Sequence, residues 1–112
     1  MQRRLPKLTL AALALTGACA ARTGSIGAVL GRADADGRVT VRLVAPSLGG
    51  ARAGLAAGDE LVSIDGSDVR DMSAERVHRA LEGDVGSVVR LTVLRAGAVV
   101  RLAVERDPLR PR

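Results

Sequence analysis

Few side chains in this 112-residue chain could perform covalent chemistry. His78 is the single histidine, Cys19 the single cysteine and Lys7 the single lysine. A hydrolytic serine needs a neighbouring base, and the sequence has no Gly-x-Ser-x-Gly turn or similar serine setting that His78 could activate. We therefore predict that the chain is not an enzyme, and we assign no residue a catalytic role.

Carboxylates are frequent, but their spacing does not describe a metal site. The run Asp34-Ala35-Asp36-Gly37 resembles the start of a calcium loop, yet the later spaced acids and the closing glutamate are absent. This run is predicted to be a solvated turn between strands. We expect neither a bound metal nor any other cofactor.

One glycine-rich segment has the composition of an anion-binding loop. Gly24 and Gly27 lie on either side of Ser25 and Ile26, and glycines let successive backbone N–H groups turn toward one point, where a carboxylate fits. The residues that follow, 28–30, could offer a strand edge to an extended peptide. By itself the motif is more typical of an ordinary turn, so its assignment depends on the elements around it.

Alternation of apolar and polar residues predicts the strands. It occurs over residues 39–43, 89–93 and 100–104, and residues 61–64 form a further short apolar run. The dipeptide Asp65-Gly66 follows that run as a tight turn, and Ala96-Gly97 joins the last two strands into a hairpin.

Two helices of unequal length are predicted between these strands. Residues 74–82 have Ser73 as N-cap, Glu75 in the first turn and Gly83 placed to end the helix. A shorter helix is expected around residues 50–53. With about five or six strands, this pattern predicts a small α+β domain, a partly open β-barrel capped by one longer and one short helix.

Composition excludes several binding functions. Hydrophobic residues make up 47% of the chain and charged residues 26%, but there is no aromatic residue. Stacking platforms for bases and aromatic membrane belts are therefore not expected. The net charge is +5, and without residues 1–20 it falls to +2, because 14 arginines then face 12 acidic residues. We predict no nucleic-acid partner.

Residues 1–20 have the features of a secretory signal peptide. A basic start is followed by an apolar run from residue 8 to residue 15 and then by small residues. Ala18-Cys19-Ala20 fits cleavage after Ala20, whereas Leu15-Thr16-Gly17-Ala18-Cys19 resembles a bacterial lipobox with cleavage before Cys19. We favour lipidation of Cys19, which predicts an exported protein on the periplasmic side of the envelope, with the membrane contacted only through a lipid anchor.

The run at residues 54–66 carries a family resemblance. It reads Gly-Leu-Ala-Ala-Gly-Asp-Glu-Leu-Val-Ser-Ile-Asp-Gly, and the succession of Ala-Gly-Leu, Gly-Asp, an apolar strand and Asp-Gly resembles a PDZ domain. The order of elements is similar to the circularly permuted bacterial form found in tail-specific (C-terminal processing) proteases and trypsin-like periplasmic proteases. We assign the PDZ domain to residues 22–106 and a short tail to residues 107–112.

The resemblance implies a PDZ-like fold and a groove for peptides. In the family, a basic residue often precedes the peptide-holding loop, a place that Arg22 occupies here, and the histidine that selects a peptide hydroxyl sits at the first helical position, which here is Ala74. His78 lies one turn later on the same side, and a half-exposed helix histidine without chemistry is an open alternative. The residues predicted to bind peptide are Arg22, Ser25, Ile26, Gly27, Ala28, Val29, Leu30, Ala74, His78 and Leu81.

Two departures from the family pattern concern the groove. The usual Ser-Pro-Ala at the start of the short helix reads Leu48-Gly49-Gly50, and the aromatic residue often found at the end of the loop is Ala28. Tail-specific proteases use a Ser-Lys dyad, and Lys7 lies in the leader, so the mature chain cannot form it.

The expected function is non-catalytic recognition of C-termini or extended segments of other envelope proteins. Two alternatives stay open. The chain could be a fragment or degenerate copy of a processing protease that lacks its catalytic half. It could also be a structural component of an envelope or secretion complex.

Overall fold

The computed structural model of the protein describes residues 22–108. The predicted leader, residues 1–20 with the lipidation candidate Cys19, lies outside the described residues, as do residues 109–112. No helix between residues 22 and 108 is long and apolar enough to cross a membrane.

Nine strands and two α-helices make up the described chain. The strands are β1 (Thr23–Ser25), β2 (Ala28–Arg32), β3 (Val39–Val44), β4 (Glu60–Ile64), β5 (Ser67–Asp68), β6 (Gly83–Asp84), β7 (Val88–Arg95), β8 (Ala98–Glu105) and β9 (Asp107–Pro108). The helices are α1 (Gly49–Ala53) and α2 (Ala74–Leu81), and a 3₁₀ turn occupies Val69–Asp71.

The strands form two antiparallel sheets. The larger has the order β2-β3-β4-β7-β8, with β5 paired to β4, and the smaller has the order β6-β1-β9. Strand β2 is at one edge of the large sheet, and β3 bulges where it faces Val29 and Leu30. The predicted fold class is confirmed, an α+β domain whose sheets form a partly open barrel capped by a longer and a shorter helix.

One face of each long strand supplies the core. Val89, Leu91 and Val93 of β7 are each at most 2% exposed, whereas the residues between them are partly or fully exposed. Val77 and Leu81 of α2 close the core from the other side, with Met72 just ahead of the helix. The hydrophobic alternation of the sequence therefore corresponds to burial on one face only.

Helix α2 begins and ends for separate local reasons. Ser73 caps it as predicted, since its Oγ accepts a hydrogen bond from the Arg76 backbone N–H at 3.1 Å. The helix ends one residue earlier than predicted, with Glu82 in an extended conformation. Gly83 then continues into β6 and pairs with Gly24, which places the end of α2 beside the glycine-rich segment.

The fold continues two residues beyond the predicted domain end at 106. Asp107 and Pro108 form β9, which pairs with Gly24 and Ser25 of β1. The Asp107 carboxylate also accepts a hydrogen bond from the Gly49 N–H at 2.5 Å, the first backbone donor of α1. The first two residues assigned to the tail are thus part of the domain.

This contact explains the unusual start of the short helix. Leu48 is the N-cap residue of α1 and has no side chain that could accept a hydrogen bond, so Asp107 supplies the acceptor from the far end of the chain. A Cβ atom at position 49 would collide with the carbonyl oxygen of Glu105. Gly49 is therefore required by the close approach of β8.

Candidate functional site

An apolar groove lies between strand β2 and helix α2. Its volume is about 380 Å³. Strand β2 pairs with β3 on one side, and among the described residues no strand pairs with its other side, which borders the groove. The lining residues are Ser25, Ile26, Ala28, Val29, Leu30, Gly31, Arg32, Val39, Ala74, Val77, His78, Leu81 and Glu82.

The structure brings most of the predicted binding residues together along this groove. Eight of the ten line it, while Gly27 and Arg22 do not. Arg22 is exposed, and its carbonyl accepts a hydrogen bond from the Val85 N–H at 2.9 Å. The basic residue expected beside the loop is therefore not among the lining residues of the groove, and its backbone is bonded to the residue after β6.

The loop at the closed end of the groove is held by its carbonyl groups. The carbonyl of Ile26 accepts from the Gly50 N–H and that of Gly27 from the Ala45 N–H, each at 2.8 Å. Within residues 22–108, the N–H of Gly27 donates to no backbone carbonyl. The carbonyl groups of the loop are therefore bonded to α1 and to the residue after β3. The N–H of Gly27 stays available to donate a hydrogen bond to a ligand.

Gly27 has a left-handed backbone conformation. Its φ is +73°, a conformation that other residues adopt only with strain. A Cβ atom at this position would also lie 2.7 Å from the Cβ of Leu48. Position 27 therefore needs glycine for both its backbone conformation and its surroundings.

Helix α2 presents one face to the groove. Ala74, Val77, His78 and Leu81 follow each other at helical spacing and all line the groove. Val77 and Leu81 are buried in the core at the same time, whereas Ala74 and His78 are exposed. The helix therefore combines an apolar floor with an accessible rim.

His78 borders the groove and contacts a neighbouring carboxylate. Its Nε2 lies 3.0 Å from Oε2 of Glu82, one turn further along the helix, and its side chain is 75% exposed. No serine is bonded to it within the described residues. The contact with Glu82 makes His78 part of an exposed rim pair.

Arg106 binds the C-terminal end of α2, a contact that the sequence analysis did not predict. It is 8% exposed, and its guanidinium donates to the carbonyls of Leu81 at 3.0 Å and Ala80 at 3.2 Å and to Oγ of Ser87 at 2.9 Å. A cation at a helix C-terminus satisfies its free carbonyls and opposes its dipole. Arg106 thereby holds the groove helix against β8.

The Gly-Asp pair of the family motif has a structural role away from the groove. Asp59 is 2% exposed and accepts hydrogen bonds from Arg95 Nη2 at 2.7 Å, Arg95 Nε at 2.8 Å and the Ala56 N–H at 2.9 Å. The hydrogen bonds from Arg95 lower the pKa of the Asp59 carboxyl below its ordinary value, although burial alone would raise it. This ion pair fastens the loop before β4 to strand β7.

Five groove residues were not among the residues predicted to bind peptide. They are Gly31, Arg32, Val39, Val77 and Glu82. Extending the strand alternation from Ala28 through Leu30 would have found Arg32. Residues 22–108 contain no group of three His, Cys, Asp or Glu side chains placed to bind a metal ion.

The sheet is antiparallel, and its edge strand and one helix enclose an apolar groove. This arrangement is typical of a class of small binding domains. The sequence profile of the PDZ domain matches residues 40–95, half of the chain. The chain belongs to the PDZ domain family. No curated protein sequence matches it at a significant level.

Solved structures of several proteases share this fold. A photosystem II D1 C-terminal processing protease superimposes with a TM-score of 0.72 at 26% identity, over 90% of this chain and 27% of that protein. The PDZ domain of the carboxy-terminal protease from Vibrio cholerae, in complex with peptide, has a TM-score of 0.67 at 26% identity, over 81% of this chain and 99% of that domain.

The HtrA-type protease AlgW with a decapeptide is similar in fold alone, with a TM-score of 0.68 at 22% identity over 95% of this chain and 36% of that protein. The chain thus spans about a quarter to a third of the two longer proteases, and it matches their PDZ part. What it shares with them is the fold of the PDZ domain.

Proposed function

We propose that this PDZ domain is a non-catalytic peptide-binding module of a bacterial envelope, exported and anchored through a lipid on Cys19. Its partners are C-termini or extended segments of other envelope proteins. The observation that carries the proposal is the apolar groove beside β2, whose outer edge has no strand partner in the described chain. The similar Vibrio cholerae domain was solved with a peptide, which adds support.

The groove offers the three interactions that an extended peptide needs. The β2 edge supplies backbone hydrogen bonds, and Ile26 and Leu81 provide apolar surface. The N–H of Gly27, which adjoins the lining residues Ile26 and Ala28, donates to no backbone carbonyl within residues 22–108. A charge-assisted hydrogen bond contributes about 1.5–3 kcal/mol, and burial of one apolar side chain contributes about 1.5–3 kcal/mol more. After the association cost, affinities in the micromolar range, about −6 to −8 kcal/mol, are expected.

Calorimetric titration of peptides with a small or medium apolar last residue tests the proposal. The free-acid peptide should bind about 2 kcal/mol more tightly than its C-terminal amide, because amidation removes the charged acceptor. Equal affinity for the two forms would exclude the loop as a carboxylate site. Absence of binding by either form would refute the groove as a peptide site.

A matched pair of variants separates the groove from the rest of the surface. Ala74→Arg places a long side chain at the groove rim, whereas Ala57→Arg makes the same change at an exposed position that does not line the groove. Both should unfold at the wild-type temperature. Peptide affinity should fall at least about tenfold, or about 1.4 kcal/mol, for Ala74→Arg alone.

A second function is favoured by the processing proteases among the similar structures. The domain would then present substrates to a catalytic partner on another polypeptide. The isolated domain should not hydrolyse unfolded casein, whereas a complex recovered from the native host with a tagged full chain should cleave a C-terminal tag substrate. A recovered complex without peptidase activity would count against this function.

A further inference from the structure

Arg32 is a cation in the groove without an acidic partner. Its Nη1 donates to the carbonyl of Met72 at 2.8 Å and its Nη2 to that of Val69 at 3.1 Å. Its Nε is buried and has no hydrogen-bond partner. Among the described residues it forms no ion pair. Two neutral carbonyls satisfy part of its hydrogen-bonding capacity and leave its charge uncompensated.

The position of Arg32 places this charge at the open end of the groove. Side chains alternate along β2, so Arg32 shares a face with Ala28 and Leu30, which pack against the core. Val29 points the other way and is 53% exposed. From β2, the Arg32 side chain reaches the carbonyls that lie just before α2, opposite the end where the Gly27 loop lies.

The other ionisable side chains that line the groove are His78 and Glu82. They lie on one side of it, with Nε2 of His78 3.0 Å from Oε2 of Glu82. Arg32 is the one arginine or lysine that lines the groove within residues 22–108, and it forms no ion pair there. A ligand that fills the groove would improve its electrostatic match by bringing one carboxylate to this end.

The register of a peptide paired with β2 indicates which of its residues lies opposite Arg32. A peptide antiparallel to β2, with its terminal carboxylate at the Gly27 loop, advances one residue for each residue of β2. Arg32 is four residues beyond Ala28, so it lies opposite a peptide residue about four places before the last. Alternate peptide side chains face the groove, which puts this residue on the same side as the terminal apolar one.

We propose that Arg32 is a specificity-determining residue, and that the groove selects peptides with an aspartate or glutamate about four residues before an apolar C-terminus. This inference rests on the proposed peptide-binding function. The Arg32 guanidinium acts on the peptide side chain, while the Gly27 loop acts on the terminal carboxylate, so the two interactions can be measured separately.

The test uses N-acetylated eight-residue peptides with a free C-terminus and an apolar last residue, titrated by calorimetry. Glutamate is compared with glutamine at each position from two to five residues before the end. The glutamate peptide should bind about three- to tenfold more tightly, with the maximum about four residues before the end. The preference should shrink as salt is raised from 50 to 500 mM.

Arg32→Gln should abolish the glutamate preference, and Arg32→Glu should reverse it in favour of a lysine peptide. The matched control is Arg101→Gln, which removes the same charge from an exposed position on β8 outside the groove and should leave the preference intact. If the Arg32 variants fail to fold, as judged by circular dichroism, the wild-type position scan and its salt dependence decide the question.

Equal binding of glutamate and glutamine peptides at all four positions would overturn the inference. The free-acid and amide comparison shows which idea has failed. If the wild type prefers the free acid but ignores the upstream glutamate, Arg32 has no role in specificity and the proposed function stands. If no peptide binds, the proposed function fails and the inference fails with it.

Discussion

Replacing Asp59 with asparagine should show how strongly one buried ion pair stabilises this fold. The change preserves shape but removes the charge that accepts two hydrogen bonds from Arg95 and one from the Ala56 N–H. The new amide group would also direct N–H donors at a guanidinium that has only donors. Asp59 is 2% exposed, so water cannot easily replace the lost interactions.

The size of the effect follows from the hydrogen bonds and their exposure. Bonds to a charged group contribute about 1.5–3 kcal/mol each, but the Arg95 side chain is 41% exposed and regains water when its partner is lost. We expect Asp59→Asn to lower the free energy of unfolding by about 2–4 kcal/mol. For a domain of this size, such a loss shifts the melting temperature by more than about 8 °C.

The loss should depend on pH in a defined direction. Because Arg95 lowers the pKa of Asp59 in the folded state, the carboxylate stabilises the fold fully above its unfolded pKa of about 3.9. That stabilisation disappears as the pH falls through the lower folded pKa. The difference between wild type and Asp59→Asn should therefore be constant from about pH 5 to pH 7 and shrink below about pH 4.

Urea unfolding of both proteins at several pH values measures the difference directly. Asp68→Asn is the control, since Asp68 also pairs with an arginine, Arg70 at 2.9 Å, but at the surface. Solvent screens that pair, and its removal should change the unfolding midpoint far less. A loss for Asp59→Asn that matches the control, or that grows on acidification, would refute the role given to the Asp59–Arg95 pair.

Three further predictions concern the loop, the chain end and the leader. Gly27→Ala should lower both the melting temperature and the peptide affinity, because the φ of Gly27 is +73° and the new Cβ would crowd Leu48. An unchanged melting temperature and an unchanged calorimetric affinity would contradict this prediction. Asp107→Ala should cost about 0.5–2 kcal/mol in urea unfolding, since the N–H of Gly49 loses its acceptor, and no loss would show that the cap is unimportant. Mass spectrometry of the mature chain should find a diacylated Cys19 at its N-terminus. An unmodified N-terminus immediately after residue 20 would show that the chain has no lipid anchor. A chain that still begins at residue 1 would refute the signal peptide.

The longer elements could be predicted because each buries one face. The hairpin of β7 and β8 follows the alternation closely, and Ala96 and Gly97 both have positive φ, as a two-residue hairpin turn requires. Helix α2 was placed to within one residue because its cap is local, a serine bonded to a backbone N–H three residues later. In both cases the determining contacts lie within one element or between sequence neighbours.

The parts that could not be predicted depend on distant contacts. Strands β1, β6 and β9 are two or three residues long, too short to show a period, and they pair across most of the chain length. The family order predicted Arg22 as a groove residue, but Arg22 does not line the groove, and its carbonyl accepts a hydrogen bond from the Val85 N–H just after β6. Arg32 shows no local signal beyond its place in the alternation, because its partners are the carbonyls of Val69 and Met72.

Two adjacent residues at the end of the domain carry opposite charges and contact opposite ends of the two helices. Arg106 places a cation at the C-terminus of α2, where it binds the carbonyls of Leu81 and Ala80, and Asp107 places an anion at the first N–H of α1. Each charge opposes the dipole of the helix it contacts. Because α2 forms the wall of the groove and Gly50 of α1 holds the carbonyl of Ile26 in the loop, this dipeptide positions both sides of the groove's closed end. A chain that ended before it would keep the groove residues but lose the contacts that hold them in place.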